Sequence, residues 1–308
     1  MSLIKIVDID HVRFACPDLG RMRTFLEDFG LRDAGSDETI LRMHAAGPSP
    51  FAHVTEVGPA GFRGVGLQAA SLADLEILAA HEGTSVEPSS APGGGFVVRL
   101  VDPDGFSVHV VAEQVVPERA QVSGEGWNTA LLKGRPGVAK RLAPGPSRVL
   151  RLGHVVLVVS DLDATWQWWQ ERFGLIVSDD VRAPDGSGTA LFVRCDRGDQ
   201  LTDHHTLNFS KIPGKEPQFH HAAFEVVDLD DLMVGHDHLL AMGYRPSWGI
   251  GRHILGSQVF DYWLDPFGHR VEHWTDGDLF AADAQTNVTD ITTMLGHQWG
   301  PAAPSDFV

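Results

Sequence analysis

Four times along the chain, a short apolar run is followed by a capping residue, an amphipathic stretch and a glycine. The runs are rich in β-branched residues, as in Gly153-His154-Val155-Val156-Leu157-Val158-Val159, which predicts strands buried on both faces. Asp18, Ser71, Asp161 and Asp228 come next. Their short side-chain oxygens suit a helix N-cap, where they satisfy backbone N–H groups that lack a partner inside the helix. Stretches such as Thr165-Trp166-Gln167-Trp168-Trp169-Gln170-Glu171-Arg172-Phe173 then place large apolar residues at helical spacing. Gly30, Gly83, Gly174 and Gly243 close them, as expected where a helix ends in the left-handed conformation.

The copies share one layout: an anchor, an apolar residue three later, the cap seven later and Leu eight later. The sets are His11/Phe14/Asp18/Leu19, Gly64/Leu67/Ser71/Leu72, His154/Leu157/Asp161/Leu162 and His221/Phe224/Asp228/Leu229. Further strand-like runs follow each helix. The second and fourth copies end in the tight turns Asp102-Pro103-Asp104-Gly105 and Asp265-Pro266-Phe267-Gly268. Seven residues on from the first Asp of each turn stand His109 and Glu272. The unit is therefore a strand, a helix and about three strands. So small a unit cannot close its own core, so copies are expected to pair. The expected fold class is α+β, with two domains of two copies each. Residues 1–115 form the first domain, 148–285 the second and 286–308 a tail. Residues 116–147, interrupted by Gly124, Gly126, Gly134, Pro136, Gly137, Pro144, Gly145 and Pro146, read as a linker.

Charge narrows the partners. With a formal net charge of -17, the chain offers no basic patch to attract nucleic acid or an anionic membrane. No apolar run approaches the roughly 20 residues that span a bilayer, and the start lacks the features of a signal peptide. Cys16 and Cys195 lie in strand-like runs of different halves and read as buried free thiols, which suits a reducing, cytoplasmic setting. Homo-oligomerisation is expected from its frequency alone.

The chemistry concentrates in the second half. Most of the 16 histidines are expected to be surface or core residues. His154 and His221 differ, because both are anchors and paired copies would put them on adjacent strands. Glu272 falls on the last strand of the same pair, where an inward carboxylate is costly unless it meets a cation. Two His and one carboxylate are the ligand set of non-haem Fe(II) oxygenases. The first half has His11, Gly64 and His109 at the equivalent positions. Glycine has no ligating side chain, so a structural role is expected there.

The segment Gly251-Arg252-His253-Ile254-Leu255-Gly256-Ser257-Gln258-Val259-Phe260-Asp261-Tyr262-Trp263-Leu264-Asp265-Pro266-Phe267-Gly268-His269-Arg270-Val271-Glu272 resembles the signature of two-domain, type I extradiol ring-cleavage dioxygenases. These belong to the vicinal oxygen chelate, or glyoxalase/bleomycin resistance, superfamily. Asp203-His204-His205-Thr206-Leu207 and Phe219-His220-His221-Ala222-Ala223-Phe224-Glu225 resemble two further stretches of that family. Asp261 departs from the pattern, since many members carry an apolar or aromatic residue before the Tyr. The resemblance implies four βαβββ modules in two barrel-like domains and Fe(II), or Mn(II), held by His154, His221 and Glu272. It also implies a catechol-type substrate with O2, His205 as acid/base, and His253 and Tyr262 at the catechol oxygens. Other activities on this fold are a glyoxalase-like lyase or isomerase using a different divalent metal, and metal-free drug sequestration. The His205/His253/Tyr262 set favours ring cleavage. No Lys or Arg follows Arg270, and Trp248, Trp263, Trp274 and Phe280 lie near the motif, either as packing residues or as the lining of an apolar mouth. A neutral catechol is therefore expected, unless Arg245 or Arg252 turns inward.

Overall fold

This computed structural model describes residues 2–119, 122, 124 and 126–307. Linker positions 120, 121, 123 and 125 lie outside the described residues.

Each repeat folds as its pattern predicts. The leading strands are Ile6–Cys16, Gly61–Ala69, Val149–Val158 and Gln218–Val226, and the helices are Leu19–Phe29, Leu72–Glu82, Leu162–Phe173 and Leu229–Ala241. Asp18, Ser71, Asp161 and Asp228 each accept a backbone N–H from the first turn of their helix. Gly30, Gly83 and Gly174 are left-handed caps; the fourth helix ends at a right-handed Met242, and Gly243, with φ +81°, follows it.

The strands gather into an eight-stranded and a ten-stranded sheet, the α+β architecture of two barrel-like halves. In each half the leading strands of the two repeats pair antiparallel at the centre. Each leading strand also pairs parallel with the last strand of its own repeat. Four such strands therefore lie side by side, and side chains from several of them converge on one concave face. The third leading strand begins at Val149, four residues ahead of the apolar run, and so His154 sits mid-strand.

Residues 287–299 extend the second sheet. Asn287–Asp290 joins Ile176–Arg182 at one edge, and His297–Trp299 joins Arg245–His253 at the other. Apolar residues of both halves form one continuous core. Contacts between halves include Tyr244 Oη donating to Asp28 at 2.7 Å and His273 Nε2 donating to the Phe29 carbonyl at 2.8 Å. Cys16 and Cys195 are buried free thiols. Among the described residues no helix is long and apolar enough to cross a membrane.

Candidate metal centre and active site

Strand register brings the three candidate ligands together. Ala223 lies opposite His154 and Val156 opposite His221 on the central antiparallel pair. Arg270–Thr275 runs parallel to Gln218–Val226 and sets Glu272 beside Ala223. Strand alternation then points all three side chains into the same concavity. One ligand atom from each lies within 4.8 Å of the others. Both imidazole Nε2 atoms are 3.4 Å from Glu272 Oε2.

The electrostatics fit a cation. Glu272 is fully buried, and neither carboxylate oxygen has a hydrogen-bond partner. Burial pushes its carboxyl well above the ordinary glutamate range. Burial likewise pushes His154 down to about 3 and His221 well below the ordinary histidine value, which leaves both in the neutral, metal-ligating form. A buried carboxylate facing two neutral imidazoles lacks the positive partner that would offset its desolvation, and a divalent ion supplies it.

The other candidates surround this point. The His205 ring centroid is 4.0 Å from that of His154. The Tyr262 hydroxyl and His253 Nε2 share a hydrogen bond of 2.9 Å. Burial pushes Tyr262 well above its ordinary value, keeping the hydroxyl protonated, and pushes His253 down to about 3. Five of these six groups, all but buried Glu272, line one cavity, walled elsewhere by apolar residues such as Phe192, Trp248, Leu255 and Met294. His204 takes no part in the lining: its Nε2 meets Asp179 Oδ2 at 2.5 Å, in a buried pair behind His205.

Of the aromatics expected at an apolar mouth, only Trp248 faces the cavity. Trp263 donates to Asp261 in the core, Trp274 packs against Gly153, and Phe280 against His204. Arg252 turns outward to Asp276 and the Ser257 carbonyl, and Arg245 is exposed. Asp261, the odd residue of the signature, is fully buried and pairs with His236 Nδ1 at 3.0 Å, on the side of its strand away from Tyr262. The lining residues that sequence reasoning missed include Lys211 and Phe307. Lys211 is the cation of the rim. Phe307 packs on Tyr262 and Trp248, while its carbonyl accepts from His220 at 2.6 Å and Arg270 at 3.0 Å. Ser305 and Asp306 before it are exposed and polar, so no periodicity marks it.

The first half carries the same register with different chemistry. Gly66 lies opposite His11 and beside His109, as Ala223 does for His154 and Glu272. A Cβ on Gly66 would strike the His11 ring. Arg13, opposite Gly64, bonds His109 at 2.7 Å and pairs with Glu56. The Arg13 guanidinium is thus held beside the position that Glu272 takes in the second half.

Residues 151–273 match the model of the Glyoxalase/Bleomycin resistance protein/Dioxygenase superfamily. Metapyrocatechase 2 from Cupriavidus necator is 30% identical over 308 residues, covering 97% of this chain and 91% of that one. The chain belongs to the extradiol dioxygenases. The fold of this extradiol dioxygenase agrees with solved structures. Homoprotocatechuate 2,3-dioxygenase from Brevibacterium fuscum, in complex with 3,4-dihydroxyphenylacetate, superposes with a TM-score of 0.82 at 20% identity, covering 99% of this chain and 92% of that one. The Mn(II)-bound glyoxalase from Novosphingobium aromaticivorans gives 0.78 at 22% identity, covering 97% and 93%.

Proposed function

We propose that the chain cleaves a catechol ring beside its two hydroxyls, with O2 as co-substrate, and that His154, His221 and Glu272 hold the Fe(II) this requires. The observation that carries the reading is the convergence of these three side chains in an apolar cavity, with both Glu272 oxygens unpartnered. When bound, Fe(II) would supply a Lewis acid for the diol and a path by which the diol's electrons reach O2. Mn(II) accepts the same donor set.

The chain's own groups divide the remaining work. The Tyr262 hydroxyl, fixed by His253, is held to orient the diol through one of its oxygens. His205 and His253 are neutral at pH 7 and so are competent to accept protons as the diol binds. His205 is assigned the acid/base role, holding a proton and returning it to the product. The apolar walls exclude water from the reacting ring. The lining favours a neutral, substituted catechol, with Lys211 at the rim as the partner that a carboxylated one would need.

In this reading residues 1–115 form the structural domain, 116–147 the linker, 148–285 the catalytic domain and 286–308 the tail that closes the cavity. The reading also includes a homo-oligomer in the cytoplasm, for which light scattering and fractionation are the tests. Anaerobic Fe(II) loading, a panel of catechols and oxygen-uptake measurement test the activity. One O2 consumed per catechol and a yellow ring-opened product are expected, with no activity in the Zn(II) form. No uptake with any catechol overturns the reading.

A further inference from the structure

The structure assigns Asp179 and His204 as positioning residues that hold His205 in one tautomer, through a buried chain of hydrogen bonds. The inference rests on the acid/base role of His205 proposed above and goes beyond it.

All three residues are buried. Asp179 Oδ2 is 2.5 Å from His204 Nε2, and His204 Nδ1 is 3.0 Å from His205 Nδ1. The other carboxylate oxygen of Asp179 accepts from Asn287 Nδ2 at 2.6 Å. Asn287 belongs to the edge strand that pairs with Asp179's own strand, so the tail fixes the head of the chain. The His204 ring lies between Phe192 and Phe280, and Gly256 gives it room, since a Cβ there would sit 3.0 Å from the ring.

The direction of the bonds follows from donor chemistry. A carboxylate accepts, and Asp179 already accepts from Asn287, so the assignment puts the His204 proton on Nε2. In this assignment His204 carries that one proton, so its Nδ1 accepts, and the atom facing it, His205 Nδ1, carries the hydrogen. His205 is left with an unprotonated Nε2, the one ring nitrogen for which no hydrogen bond exists among the described residues. His205 lines the cavity, so an acceptor rather than a donor is offered to the substrate. Were His205 free to choose, half of its orientations and tautomers would offer a donor instead.

The test starts with the Zn(II)-loaded enzyme, which is diamagnetic and inert to O2. Histidine labelled with ¹⁵N is read by NMR, and the His205 signals are assigned by their loss in His205→Gln. Protonated Nδ1 and bare Nε2 are expected in the wild type. In Asp179→Asn the His205 signals are expected to shift towards the other tautomer. The Fe(II) form of that variant should lose kcat by about 10- to 100-fold, the scale of lost outer-shell orientation. Its KM for catechol should hold, and Asp179→Glu should recover part of kcat. A wild-type His205 protonated on Nε2 overturns the proposal, as does an Asp179→Asn variant unchanged in tautomer or in kcat. If that variant does not fold, the wild-type spectrum decides alone. An active enzyme with the wrong tautomer defeats only this inference, whereas absence of oxygen uptake defeats the catalytic reading beneath it.

Discussion

Glu272→Gln is expected to stabilise the metal-free protein and to remove most of its response to metal. Glu272 is fully buried with no hydrogen-bond partner for either oxygen. Its ordinary value is 4.5, and burial raises it well above that. Between these values the folded state holds a proton that the unfolded chain releases. Wild-type stability therefore falls as pH rises above 4.5, by about 1.4 kcal/mol per pH unit. The cost is therefore larger at pH 7 than at pH 5.5. The glutamine amide has the same shape and no such proton. It also offers N–H groups to the neutral Nε2 atoms of His154 and His221. Urea denaturation after chelation should show the variant more stable, by a margin that is wider at pH 7 than at pH 5.5. The buried histidines are common to both proteins and cancel from the difference. Adding Mn(II) at 100 times its Kd should stabilise the wild type by about 2.7 kcal/mol and the variant far less. A metal-free variant less stable than the wild type, or a gain equal at both pH values, would refute the reasoning.

Acid should unfold the protein early. Burial pushes His53, His154, His220 and His253 down to about 3 and His273 to about 4, against 6.5 in the unfolded chain. The unfolded state therefore binds more protons below 6.5, and stability is lost as pH falls. In the Glu272→Gln background the urea midpoint should drop steeply between pH 6.5 and 5; a flat midpoint contradicts this. Phe307→Ala removes a ring from the cavity wall, and steady-state kinetics should show KM for catechol raised about tenfold, the equivalent of ~1.4 kcal/mol. An unchanged KM would place Phe307 outside the substrate's reach. His109→Ala should keep the wild-type metal content by elemental analysis, whereas His221→Ala should lose it. Loss of metal from the first would mean that the N-terminal half binds an ion.

Much of this architecture was legible because the repeat ties position to chemistry. Each cap and leading strand falls where its residues imply, since local bonding alone fixes a helix start. The convergence of His154, His221 and Glu272 was legible for a related reason: they occupy fixed offsets in repeats that fold with one register. Residues placed by tertiary packing were not. Phe307 and Asp179 reach the site through chain segments with no periodic relation to it. Trp263, Trp274 and Phe280 share the motif's neighbourhood, but strand alternation and packing turn them elsewhere. Asp261 looked anomalous only until its partner His236, on the preceding helix, was in view.

The most direct test of the central claim is anomalous diffraction from anaerobic, Fe(II)-loaded crystals soaked with a catechol. A single iron peak within bonding distance of His154 Nε2, His221 Nε2 and Glu272, with the diol beside Tyr262, is expected. Iron at another site, or iron without Glu272 among its ligands, would contradict the account.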